Sequence, residues 1–330
     1  MLIVGTILML LVGSLIVMGI YKKNGDAELE SSRPTVRYAA PLTIAAAPVY
    51  VADAMGFWND EGLDMKVTYF DSGRKALDAL LSNNAEVMSV SETPPLRAYL
   101  AGSKINMITT VAEHKEAKMT VRTDRITNLQ DVKGKKIGTV AGTNSDYYMY
   151  RWLEANNIKV SDVTIIQLDA AALSQSFIQG NIDAMFAWEP YNYNAASKIP
   201  NDSESWPTEL YSGRHTVEMN SEYSKSHADV VEKIIRGFIK AEKYIKNNPD
   251  EAKKIVMNKT SMSKEALNKL WDEYTYTVQL DDGLKDILNN ETSWIKSSGD
   301  SSVKGDMSDL VNPTFLLNVD PARVGGVFKS

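Results

Sequence analysis

Four polar segments of this sequence stand where apolar, strand-like runs end, and their side chains could hold a small polar molecule. In chain order they supply Thr43, then Ser91, Glu92 and Thr93, then Thr143, Asn144 and Ser145, and finally Trp188 and Glu189. Hydroxyl and amide groups form hydrogen bonds, and an indole offers a flat apolar face. Ligands of open parallel sheets bind beyond the carboxyl ends of the strands. We therefore predict that these residues bind a ligand and perform no reaction on it.

The third segment has the character of an oxyanion site. Its three residues follow Gly142 and open a predicted helix, whose N-terminus carries unpaired N–H groups and a partial positive charge. Structural roles explain some of the same residues, because Thr93 and Thr143 can cap helices and Thr43 can shape a turn. Trp188 can equally be a core residue, so both interpretations stay open.

Three acidic residues at these loops bear on the charge of the ligand. Glu92, Asp146 and Glu189 have no Lys or Arg beside them within the loops. An excess of carboxylates repels an anion such as nitrate, so the sequence favours an amine-bearing or zwitterionic ligand, or a neutral heterocycle such as an aminopyrimidine. His114 follows a predicted strand near a change of lobe, and we interpret it as a polar surface or hinge residue.

Composition argues against several other classes of function. The chain has 330 residues, no cysteine and three histidines, none of them in a His-x-x-x-His pair, so we predict no disulfide, no metal and no other cofactor. Its formal net charge of -6 argues against binding to nucleic acid. Hydrophobic residues make up 44% and charged residues 24%, which is typical of a globular protein with buried cores.

Short β-rich runs alternate with helical patterns in the first part of the chain. The predicted strands span 36–39, 65–69, 85–90, 105–111, 119–122, 136–140, 163–167 and 184–187, with predicted helices at 49–55, 74–82, 94–101, 146–156 and 171–179. Such alternation predicts βαβ units and parallel sheets. Beyond residue 223 the pattern is helical, with predicted helices at 228–247, 250–257, 264–271 and 284–295.

The order of these elements predicts two lobes. Residues 35–118 and 219–330 are expected to form the first lobe, and residues 119–218 the second. The chain then crosses between the lobes twice, near 119–123 and near 211–219, and paired crossings are the usual construction of a hinge.

An apolar segment without charge spans residues 2–20, and a polar linker, 22–34, follows it. The segment fits the roughly 20 residues that cross a bilayer and exceeds the core of a signal peptide, which has about 7–15 residues. We therefore predict that residues 1–21 form an uncleaved membrane anchor, with a cleaved signal as the alternative. Lys22 and Lys23 oppose an outside location for the lobes, because positive charges usually flank the cytoplasmic side.

Several short motifs occur in fixed order between residues 36 and 194. They are Ala47-Pro48-Val49-Tyr50-Val51-Ala52, Gly56-Phe57-Trp58, Glu61-Gly62-Leu63, Asp71-Ser72-Gly73, Thr93-Pro94-Pro95, the run 129–137, Gly142-Thr143, Asp183-Ala184 and Trp188-Glu189-Pro190. Together they resemble the nitrate, sulfonate and taurine binding proteins, a family that also includes binders of thiamine pyrimidine precursors. The family usually has Gly where Glu92 stands.

The resemblance implies a type II periplasmic-binding-protein fold, with two α/β lobes, two hinge crossings and a ligand in the cleft between them. It also implies ligand contacts in the loop 91–93, an ABC permease and ATPase as partners, and a place outside the cytoplasm. The expected function is capture of a small polar solute that is sulfonate-like or taurine-like, nitrate-like or aminopyrimidine-like.

Two alternative functions remain. One is the ligand-sensing ectodomain of a signalling system. The other is an enzyme on the same scaffold. The pyrimidine synthases and desulfinases that share this resemblance rely on cysteine or on a metal-binding cluster of Cys and His. This chain has no cysteine, so we predict that it is not an enzyme.

Overall fold

The computed structural model describes residues 33–115, 117–207, 211–297, 303 and 305–329. The predicted anchor 1–21, and the linker up to residue 32, lie outside the described residues. Within these ranges, none of the helices combines the length and the apolar character that crossing a membrane requires.

The strands belong to two separate sheets. In chain order they are β1 (Thr35–Pro41), β2 (Asp64–Phe70), β3 (Val87–Ser91), β4 (Ile105–His114), β5 (Lys118–Arg122), β6 (Lys136–Thr139), β7 (Thr164–Gln167), β8 (Ala184–Ala187), β9 (Ser203–Pro207), β10 (Gly213–Asn220) and β11 (Tyr274–Thr275). The first sheet has the order β11-β4-β10-β3-β1-β2, and the second has the order β7-β6-β8-β5-β9.

Helices follow most strands and cover the sheets. In chain order they are α1 (Ala47–Ala54), α2 (Phe57–Asp60), α3 (Gly73–Leu81), α4 (Thr93–Leu100), α5 (Asn144–Ala155), α6 (Ala170–Ile178), α7 (Tyr191–Lys198), α8 (Ser221–Ser226), α9 (Ala228–Asn247), α10 (Pro249–Thr260), α11 (Lys264–Leu270), α12 (Asp282–Ser297) and α13 (Thr314–Val319). Helices α8–α13 belong to the part of the chain that returns to the first lobe.

Parallel pairing dominates the part of each sheet that is built from βαβ units. β1 pairs parallel with β2 and β3, and β6 pairs parallel with β7 and β8. β10 instead runs antiparallel to both β3 and β4. The predicted α/β architecture with two lobes is therefore confirmed.

Helix α9 shows how an amphipathic pattern builds the first lobe. Its buried face includes Ile234 and Phe238, as expected for apolar residues that recur with helical spacing. The ring of Phe238 meets that of Trp58 at 5.5 Å and nearly at right angles. Gly237 permits this contact, because a Cβ atom there would lie 2.4 Å from Cδ1 of Trp58.

The chain changes sheet between β4 and β5 and again between β9 and β10. The segment 119–123, expected to contain a crossing, is therefore mostly a strand of the second sheet. Residues 213–218, expected in the second lobe, belong to β10 of the first sheet. Strand β10 was not predicted from the sequence, because Arg214, His215 and Glu218 interrupt its apolar pattern. All three side chains are nevertheless buried in the structure.

Candidate functional site

A cavity of about 30 Å³ lies where the two lobes meet. Its lining residues are Pro41, Thr43, Gly73, Ser91, Pro94 and His215 from the first lobe, and Thr143, Asn144 and Trp188 from the second. A volume of this size holds about one water molecule. The lobes are therefore closed on each other, and a larger ligand requires them to move apart.

Five of the predicted site residues line this cavity: Thr43, Ser91, Thr143, Asn144 and Trp188. Two hydrogen bonds join the lobes beside it. Thr43 Oγ1 donates to the main-chain oxygen of Glu189 at 3.2 Å, and Asn144 Nδ2 donates to Ser91 Oγ at 3.2 Å. The structure thus brings together residues that are separated by up to about half of the chain. Their role as ligand contacts remains a prediction.

Helix N-termini converge on the cavity from both lobes. Gly73 is the first residue of α3, Pro94 is the second residue of α4, and Asn144 is the first residue of α5. Thr43 precedes the short 3₁₀ turn that leads into α1. The first turn of a helix leaves backbone N–H groups without an intrahelical acceptor and carries a partial positive charge. The cavity is therefore suited electrostatically to an anion.

The hydroxyl groups of Thr143 and Ser145, at the start of α5, do not act as caps. Thr143 precedes α5 but makes no side-chain capping bond, and its Oγ1 donates to the carbonyl of Val140 at 2.7 Å. Ser145 Oγ donates to the carbonyl of Phe186 at 2.6 Å. Ser145 is fully buried away from the cavity, so its predicted place in the lining differs from the structure.

Glu189 faces internal partners rather than the cavity. Its carboxylate accepts hydrogen bonds from the backbone N–H of Tyr193 at 2.9 Å and from Lys118 Nζ at 3.4 Å. Lys118 also donates to Glu273 Oε2 of the first lobe at 2.6 Å. The cation that the loop sequence lacks is thus supplied by β5, and it offsets the charge of Glu189.

Glu92 and Thr93 also point away from the cavity, toward helix α12. Glu92 accepts a hydrogen bond from the backbone N–H of Arg214 at 2.8 Å. Thr93 donates to Glu291 Oε1 at 2.7 Å, and Tyr211 donates to the same atom at 2.9 Å. Burial and the neighbouring carboxyl raise the pKa of Glu92, and burial raises the pKa of Glu291 to about 8. This buried acid pair therefore holds at least one proton at neutral pH.

Asp146 faces a different space. Its Oδ2 accepts a hydrogen bond from the backbone N–H of Gly142 at 3.2 Å, and burial raises its pKa. It lines an open groove of about 1090 Å³ between α5 and α12, away from the cavity. None of the three acids used to predict an amine-bearing ligand, which are Glu92, Asp146 and Glu189, lines the cavity. That preference loses its basis, because hydrogen bonds to other parts of the protein direct these carboxylates elsewhere.

His215 is a cavity residue that the sequence did not reveal. It is fully buried on β10, pairs with Ser91 of β3 in the strand register, and places Nε2 3.2 Å from Ser89 Oγ. Burial lowers the pKa of His215 to about 3, so the ring is neutral. The histidine that the sequence did single out, His114, is buried at the end of β4 rather than exposed, and burial lowers its pKa to about 3 as well.

Comparison with known proteins finds relatives that are named as solute-binding proteins. A Bacillus subtilis (strain 168) protein with a provisional name as an aliphatic sulfonates-binding protein is 25% identical over 281 residues, which is 82% of this chain and 84% of the relative. A taurine-binding periplasmic protein of Escherichia coli (strain K12) is 26% identical over 235 residues, or 64% of this chain and 68% of the relative. The predicted resemblance to sulfonate- and taurine-binding proteins is confirmed.

Solved structures share the fold. The periplasmic aliphatic sulphonate binding protein SsuA of Escherichia coli superposes with a TM-score of 0.73 at 17% identity, over 84% of this chain and 98% of SsuA. The desulfurization enzyme DSZB superposes with a TM-score of 0.67 at 15% identity, over 88% of this chain and 99% of DSZB. These structural similarities confirm the two-lobed periplasmic-binding fold. At 15–17% identity they show the fold and not the function.

The family model described as NMT1/THI5 like matches residues 43–252, a range that includes every predicted site residue. Because this match spans more than half of the 330 residues, the chain belongs to the NMT1/THI5-like family.

Proposed function

We propose that this chain is the extracytoplasmic solute-binding component of an ABC importer. The names of its relatives, which include a periplasmic taurine-binding protein, support a solute-binding role. Its proposed partners are an ABC permease and ATPase, and residues 2–20 are its proposed attachment to the membrane.

The cavity carries the proposal, because both lobes contribute polar groups to it and several helices begin there. Among the described residues that line it, none is Asp, Glu, Lys or Arg. Neutral donors and helix N-termini favour an anion whose oxygens accept several hydrogen bonds. We propose that the ligand carries a sulfonate or a similar oxyanion, with Thr43, Ser91, Thr143 and Asn144 as contacts and Trp188 as an apolar wall.

Capture depends on a ligand that contacts both lobes at once. The bonds from Asn144 to Ser91 and from Thr43 to the Glu189 carbonyl mark where such a ligand would enter. A ligand oxygen that hydrogen-bonds to groups of both lobes stabilises the closed arrangement. Micromolar affinity corresponds to about -8 kcal/mol, and a few charge-assisted hydrogen bonds, each contributing about 1.5–3 kcal/mol, can supply it.

Thermal denaturation and isothermal titration calorimetry test the ligand class. We expect taurine or ethanesulfonate to raise the melting temperature, since a ligand at 100 times its Kd stabilises the folded state by about 2.7 kcal/mol. Ethylamine, which has the carbon chain of ethanesulfonate without its sulfonate, is the matched control. Binding of an aminopyrimidine or of ethylamine, with no binding of either sulfonate, would contradict the oxyanion proposal.

Reconstitution tests the role in transport. The full chain is combined with a candidate permease and ATPase in proteoliposomes, and ATP hydrolysis is measured with and without the sulfonate. Stimulation that requires both this protein and the ligand supports an importer. Ligand binding with no stimulation, together with binding to a signalling partner, would favour the sensor ectodomain.

A further inference from the structure

We propose that Nδ1 of His215 forms a hydrogen bond with the bound ligand, and that His215 is a determinant of ligand specificity on the first lobe. The inference rests on the proposed function, because it concerns the same cavity. The additional contact, His215, lies on β10, directly after the second crossing between the lobes. It is not part of the sequence motifs in the cleft loops.

The position of His215 supports this role. β10 begins at Gly213, so His215 lies two residues beyond the point where the chain re-enters the first lobe. Its register partner on β3 is Ser91, and side chains directly opposite each other on paired strands are neighbours on one face. Ser91 in turn bonds to Asn144 of the second lobe. His215 therefore stands beside the polar contact that closes the cavity.

The hydrogen bonds of the ring leave one nitrogen for a ligand. Nε2 lies 3.2 Å from Ser89 Oγ. Within the part of the chain that the structure describes, the buried Nδ1 has no hydrogen-bond partner. By contrast, Thr43 Oγ1 and Thr143 Oγ1 already donate to carbonyl groups of the protein. A buried polar atom without a partner destabilises the fold unless something satisfies it, and a ligand in the adjoining cavity can do so.

The neutral ring determines what kind of bond this is. A neutral imidazole has one N–H donor and one acceptor nitrogen. If the Ser89 hydroxyl donates to Nε2, the proton resides on Nδ1, and Nδ1–H donates to a ligand oxygen. His215 then recognises an oxyanion by hydrogen bonding without adding a formal charge, as the other lining residues do.

Three substitutions separate a ligand contact from a structural role. An Asn side chain places its amide near the position of Nδ1, a Gln amide reaches the position of Nε2, and Leu supplies neither. The variants His215→Asn, His215→Gln and His215→Leu are titrated with taurine and with ethanesulfonate by calorimetry. His227→Asn, which changes an exposed histidine, is the matched control.

We expect His215→Asn to retain most of the wild-type affinity, and His215→Gln and His215→Leu to lose about 10- to 100-fold, the usual effect of removing a hydrogen bond to a charged group. Equal affinity in all three variants would overturn the contact while leaving the proposed function intact. If His215→Gln keeps the wild-type affinity and His215→Asn loses it, the important hydrogen bond is the one between Nε2 and Ser89. That result would also overturn the proposed contact of Nδ1 with the ligand. If the wild-type protein binds neither sulfonate, the proposed function fails first.

A measurement on the unmodified protein covers the case in which the variants fold poorly. The chain has three histidines, so the ¹⁵N resonances of the imidazole nitrogens can be assigned by substitution of His114 and His227. We expect saturating taurine to shift Nδ1 of His215 more than Nε2. Binding of taurine without a change at Nδ1 would refute the proposal.

Discussion

Replacing Glu291 with Gln should stabilise the protein at neutral pH and leave it almost unchanged at pH 5. Glu291 is fully buried, accepts hydrogen bonds from Thr93 and Tyr211, and lies beside Glu92. Burial raises its pKa from 4.5 to about 8. Between these two values the folded protein keeps a proton that the unfolded chain releases, so the stabilising contribution is complete below pH 4.5 and is lost as the pH rises through 8.

The size of the effect follows from one proton. Stability changes by about 1.4 kcal/mol per pH unit when the folded and unfolded states differ by one bound proton. From pH 5 to pH 7.5 the titration of Glu291 should therefore lower the stability of the wild-type protein by about 3 kcal/mol. Gln carries no titrating proton and keeps an oxygen that accepts from Thr93 and Tyr211. Glu291→Gln should remove this share of the slope, while the buried carboxyls of Glu92 and Glu218 keep theirs, and should exceed the wild-type stability by up to about 3 kcal/mol at pH 7.5.

Urea denaturation at pH 5, 6, 7 and 7.5, followed by circular dichroism, measures the free energy of unfolding of each protein. Glu265→Gln is the matched control, because it makes the same replacement at an exposed position in the first turn of α11. A constant difference between wild type and Glu291→Gln across this pH range would refute the reasoning, since it would mean that the acid pair does not hold the extra proton.

Three further predictions concern single contacts. Lys118→Met should lower the free energy of unfolding by about 3 kcal/mol, because it removes an ammonium group that contacts both Glu189 and Glu273, and combining it with Glu273→Gln should recover part of the loss in urea denaturation. Asn144→Ala should weaken taurine binding about tenfold or more in calorimetry. A similar loss with Asn290→Ala, in the open groove, would argue against the cavity. Gly237→Ala should lower the melting temperature, because the added methyl group overlaps the indole of Trp58 and lowers the free energy of unfolding by about 1–3 kcal/mol. An unchanged melting temperature would contradict that packing.

Elements with strong periodicity could be predicted from the sequence almost to the residue. Helix α9 begins and ends at the predicted positions, 228 and 247, because a continuous apolar stripe and the following Asn248-Pro249 define it. β10 was missed, because its identity depends on burial of polar side chains by neighbouring strands, and no local pattern reveals that burial. The neighbour that makes His215 a cavity residue, Ser91, is more than 120 residues away.

The location of the candidate site was easier to predict than the direction of its side chains. Loops that follow parallel strands meet at one edge of a sheet, so Thr43, Ser91 and Asn144 could be grouped from strand order alone. The carboxylate of Glu189 turns toward Lys118, and that of Glu92 toward Glu291, and both partners come from distant parts of the chain. Charge counted within a loop is therefore a poor guide to the charge of a cavity.

Two links between the lobes end on the same residue. The main-chain oxygen of Glu189 bonds to Thr43, while its carboxylate reaches Glu273 through the ammonium group of Lys118. When the lobes separate, the small loop that gives up the bond to Thr43 is also the one that the Lys118 link holds, so the two links respond together. We therefore expect two discrete positions of the lobes, with a concerted transition between them, rather than a continuous range of partly open forms.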